Sequence, residues 1–99
     1  MKRASRAVSR LLRGLGIADE VARAAALDAW PAAAAAVFGP DASATHAVAV
    51  EGETIVVTVP TSAWASEIRL RGADLTARIR QGAPGSDIRR VRCVPASHA

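Results

Sequence analysis

Arginine is the residue type in this chain with the clearest chemical meaning. Arg3, Arg6, Arg10 and Arg13 recur at steps of three and four, beside Lys2 and with no acid before Gly16, which makes one stripe of a helix. A second set, Arg69, Arg71, Arg78 and Arg80, decorates the last helical stretch, and Arg89, Arg90 and Arg92 decorate the last strand. Guanidinium groups at these spacings can follow a phosphate backbone without reading bases. The competing reading of the later set is a solvated face balanced by Glu67, Asp74 and Asp87. The leading stripe also admits a solvated helix end, a membrane-surface helix with a short apolar side, or an arginine-rich transit peptide.

Other chemistry is sparse. There is no histidine-acid-serine constellation, no carboxylate pair with a base beside it and no phosphate loop, so neither catalysis nor a small-molecule substrate is expected. His46 and His98 lie far apart without supporting ligands, and Cys93 is the single cysteine. No metal site, no cofactor and no internal disulfide is expected, which fits a reducing, cytoplasmic setting. Trp30, Phe38 and Trp64 are the only aromatic residues, at helical spacings that suit a core better than a base-stacking platform. Thirteen Lys and Arg against nine Asp and Glu give a net charge of +4, and a pI near 11.0 favours polyanionic or acidic partners. No apolar run approaches the ~18 residues of a spanning helix, so no membrane is expected.

The elements that must position these groups follow from periodicity. Ile55, Val57 and Val59 alternate with Val56 and Thr58, a strand over 54–59 with one strongly apolar face. Glu51-Gly52-Glu53 is a tight turn pairing it with a strand over 45–50. His46 enters that earlier strand and is read as satisfied by backbone. Pro60 stops the strand, and Thr61 or Ser62 caps a helix carrying Trp64 and Ile68. Gly72 with Asp74 marks a possible second start, so the helix runs on or breaks near 71–74. Gln81 to Ser86 is a loop, and a third strand is expected over 87–94.

Upstream, Gly14-Leu15-Gly16 reads as a hinge, and Asp19 as a cap. Ile17, Val21, Ala24, Leu27, Trp30, Ala34 and Val37 then mark one helix face as far as Phe38. Pro31 removes the amide that would bond the Leu27 carbonyl, which predicts a kink or a fresh start inside that helix. Gly39-Pro40 ends it. The chain thus divides into a basic arm (1–16), one domain (17–94) and a tail (95–99). Its class is α+β: a small three-stranded sheet with helices packed on one face.

The ordered set Trp30, Gly39-Pro40, His46, Gly52 and then Ser62-Ala63-Trp64-Ala65-Ser66-Glu67-Ile68 resembles the bacterial DciA family over residues from Leu27 to about Val94. Ala32 to Ala36 departs from the family spacing by about one helical turn. The resemblance implies a K-homology-like fold and a replication adaptor. Such an adaptor binds the DnaB-type replicative helicase, assists its loading and touches DNA mainly through backbone contacts. Family members often carry a further carboxy-terminal region for partners, and helicase contact through one is not expected here. The alternative is a general RNA- or single-stranded-DNA-binding K-homology-like module. Against it, the position where such modules carry G-x-x-G reads Gly72-Ala73-Asp74-Leu75, with an acid where phosphate would approach.

Overall fold

The computed structural model describes residues 17–96. The order is α1 (Ile17–Phe38), a 3-10 turn (Gly39–Ala44), β1 (His46–Glu51), β2 (Thr54–Val59), α2 (Ser62–Leu70), α3 (Gly72–Gly82) and β3 (Arg90–Pro95). The strands form one sheet in the order β1-β2-β3, with β2 antiparallel to β1 and parallel to β3. This mixed α+β arrangement is consistent with the K-homology-like expectation.

The core lies between the helices and one face of β2. Ile55, Val57 and Val59 point into it, against Trp30 of α1, Ile68 of α2, and Leu75 and Ile79 of α3. These β-branched and aliphatic side chains are nearly or fully removed from water, and each such burial stabilises by about 1.5–3 kcal/mol. Alanine supplies much of α1's contribution, through Ala26, Ala33 and Ala34, so the helix approaches closely while burying little area per residue.

Several local expectations are settled by physical detail. The helix does not break at Pro31. Trp30 before it and Ala33 and Ala34 after it are anchored in the same core, which outweighs one missing backbone bond, and the alanines favour helix intrinsically. The expected apolar face holds from Leu27 on, with Trp30 and Ala34 buried and Leu27 and Val37 packed against the core, but not before it: Val21 is 61% exposed and Ala24 is exposed, while Ala26 and Ala33 are buried beside that face. In a helix this rich in alanine, several faces are about equally apolar. By length and a mean hydropathy of 1.2, Asp19–Ala44 also meets the composition of a membrane-crossing helix, contrary to the sequence expectation. Alanine raises the mean there, while Asp19, Glu20, Arg23 and Asp28 interrupt the stretch, and its Trp30 face packs into the core.

The helix after β2 does break, at Arg71, which ends α2 and begins α3. Thr61 caps α2 by accepting a bond from the Trp64 amide at 3.3 Å. Asp74 does not cap α3. It sits in the first turn, where a carboxylate suits the helix dipole, and pairs with Arg78 at 2.9 Å. The last strand begins at Arg90 rather than 87. The buried Ile88 plugs the core, and its carbonyl accepts from Arg80 at 2.6 Å, so it is not free for a ladder.

Candidate binding surface

The family-pattern residues fall mainly into the fold's framework. Trp30 is 1% exposed, and its indole Nε1 donates to the Thr45 hydroxyl at 3.0 Å. That hydroxyl in turn donates to the Ala42 carbonyl at 2.7 Å, so a buried polar chain ties α1 to the turn that follows it. Gly39 (φ +77°) starts that turn with Pro40 behind it, and Gly52 (φ +61°) makes the β1–β2 turn; both are in the left-handed region that favours glycine. His46 opens β1 with an exposed side chain, and its carbonyl accepts from the Thr58 hydroxyl at 3.3 Å. Trp64 is half-buried and meets Phe38 edge-on, with ring centroids 5.3 Å apart at 80°. Ile68 is core. Glu67, like His46, is exposed, and it lies on α2.

With Glu67, the outer side of α2 presents Ala63, Ser66 and Leu70, a stripe at helical spacing that is exposed throughout. Leu70, at its end, is 77% exposed, the most exposed of the large apolar side chains described. The sequence carried no signal for this, because Leu70 reads equally well as core.

The candidate arginines divide by what they already touch. Lys2, Arg3, Arg6, Arg10 and Arg13 lie outside the described residues. Arg80 is partly buried and serves the Ile88 carbonyl, a structural task. Arg78 pairs with Asp74, Arg90 loosely with Glu53 at 3.9 Å, and Arg92 with Glu51 at 2.7 Å. Arg92 and Glu51 stand on β3 and β1, so the arginine stem must cross β2 to reach its partner. Such exposed pairs are worth about 0–1 kcal/mol and exchange readily for another anion. Among the described residues Arg69 and Arg71 have no acidic partner.

Three of these arginines are brought together. Arg69 and Ala65 of α2, with Thr54, Arg90, Arg92 and Cys93, line a notch of about 350 Å³ beside β3. Burial pushes the Cys93 thiol above its ordinary value, and the Arg69 guanidinium partly opposes that shift. Arg71 stands at the adjacent α2–α3 corner. In place of a second glycine at that corner, Leu75 is fully buried in the core. A flexible phosphate-gripping loop is therefore not built there. Among the described residues no His, Cys, Asp or Glu cluster could hold a metal.

No curated protein matches this chain. A family model described as "Dna[CI] antecedent, DciA" matches residues 3–93. That span takes in the helix framework, β1, β2, most of β3 and the arginine-lined notch, and the chain belongs to the DciA family.

Proposed function

We infer that this domain is a non-enzymatic replication adaptor of the cytoplasm, which binds the DnaB-type replicative helicase and nucleic acid and assists helicase loading. The family is one of helicase loaders associated with that helicase, which gives the coarse role. The observation that carries the finer reading is the pair Arg69 and Arg71 at the α2–α3 corner, both exposed and without an acidic partner among the described residues. Guanidinium groups so placed neutralise phosphates without selecting bases, and the scarcity of exposed aromatics removes stacking as a rival source of affinity. The α2 stripe ending in Leu70 supplies what a basic notch lacks, an exposed apolar side chain suited to a protein partner.

The test is a light-scattering titration against the host's replicative helicase, paired with single-stranded DNA binding over a salt series. Leu70→Glu is expected to weaken the helicase complex at least tenfold while leaving DNA affinity within about twofold. Arg69→Glu with Arg71→Glu is expected to do the reverse, with the salt slope falling by about 0.7 for each phosphate that is no longer neutralised. A wild-type chain that gives no saturable helicase complex would overturn the adaptor reading.

A further inference from the structure

β3 is an edge strand: β2 is its one strand neighbour among the described residues. In a parallel ladder, successive residues turn their N–H and C=O groups alternately to one side and the other. The Arg90 amide bonds the Glu53 carbonyl at 3.1 Å and the Ala96 amide bonds the Val59 carbonyl at 3.0 Å, so the even-numbered residues face β2. Val91 and Cys93 therefore turn both backbone groups outward. Pro95 belongs to the same outward set, where its missing amide costs no ladder bond.

This open edge forms one wall of the notch. Ala65 and Arg69 of α2 flank it on the helix side, and Arg90 and Arg92 rise from the opposite face of the sheet. An occupant must supply donors and acceptors in the alternation of a strand, together with negative charge. A second copy pairing through β3 would set arginine against arginine, and like charges on neighbouring strands are destabilising. A phosphate backbone would satisfy the guanidinium groups but offers only acceptors to the outward carbonyls, and no aromatic side chain lines the notch. An acidic peptide meets both demands.

We propose that the β3 edge takes an extended acidic segment of a partner protein by strand addition. Its backbone bonds Val91 and Cys93, its carboxylates meet Arg90 and Arg92, and its small apolar side chains face Ala65. Glu51 and Glu53, which now hold these two arginines in exposed pairs, are displaced by the incoming carboxylates. The inference goes beyond the adaptor reading and stands without it, because the chain alone carries the site.

Backbone amide exchange of the full 99-residue chain tests this, with a short synthetic peptide of alternating glutamate and valine as the probe. At about ten times its dissociation constant the peptide is expected to slow exchange at Val91 and Cys93 roughly tenfold. The same peptide N-methylated at alternate residues keeps its charge and loses its ladder bonds, so it should give no such slowing. Arg92→Glu should weaken the unmodified peptide at least tenfold. Equal slowing by the methylated peptide would reduce the site to charge attraction and overturn the proposal. So would exchange unchanged by the peptide, or slowed only by an oligothymidylate, which would give the edge to nucleic acid. None of these results bears on helicase binding, which is read separately.

Discussion

On the helix side of β2, Ile55 and Val57 are sealed beneath Trp30, Ile68, Leu75 and Ile79. On the other face of the same sheet, Arg90 and Arg92, in register with Thr54 and Val56, reach exposed glutamates, with Val48 of β1 half open to water. One region is held by burial and by a polar chain with every buried group paired. The other is held by little of its own: its two exposed ion pairs, Arg90–Glu53 and Arg92–Glu51, contribute little to stability. The difference separates two kinds of motif residue. Those that define the family pattern mostly build the framework, whereas the groups available to a partner are arginines, Glu67 and Leu70, outside the core.

The sharpest way to break this comparison is to strike the framework. Trp30→Ala should cost about 3–5 kcal/mol, a large share of the roughly 5–15 kcal/mol that holds a domain folded, read as a lowered denaturant midpoint. Thr45→Val keeps the side-chain volume but strands the indole N–H and should cost about 1–3 kcal/mol. If Thr45→Val proves neutral, the buried polar chain is not what fastens α1 to its turn. A smaller effect is expected at Gly52, where a Cβ would meet no atom within 4 Å, so the penalty of Gly52→Ala is that of its φ of +61° alone, about 1 kcal/mol. A cost well above that would mean the turn has a packing role that its geometry does not show.

The parts legible in the sequence were those where local chemistry and tertiary demand agree. Alternation over 54–59, Gly52 at the turn and Thr61 before Trp64 each needed only neighbouring residues, and each holds in the fold. Legibility fails where the deciding partner is distant. Nothing near Trp30 announces Thr45, fifteen residues on, as its acceptor. Arg80 reads as a surface cation until the Ile88 carbonyl is found beside it. Spacing oriented α1 from Leu27 on but not its first turns, where alanine on every side left Val21 exposed and Ala26 buried. Most consequential, an edge strand differs from a central one only by what lies beside it. The sequence marks β3 as a strand with arginines on one face, and only the sheet order makes its outer side available.

Cys93 stands on the border between the two regions, facing the core from the open-edged strand with Arg69 across from it, and so gives the smallest and most local reading of the comparison. Burial favours the neutral thiol, so its pKa lies above its ordinary value of 9.0. The folded chain then binds more protons at this group than the unfolded chain does once the pH approaches that value. Stability should accordingly be independent of Cys93 well below it and decline as pH rises through it. Cys93→Ser should remove that decline, measured as the difference in denaturant midpoint between variant and wild type across the alkaline range. Arg69→Ala removes the opposing positive charge, raises the thiol further and should slow alkylation by iodoacetamide at fixed pH. Faster alkylation in that variant would mean that Arg69 acts there mainly as a cover over the sulfur, and that the border belongs to the packed side rather than the open one.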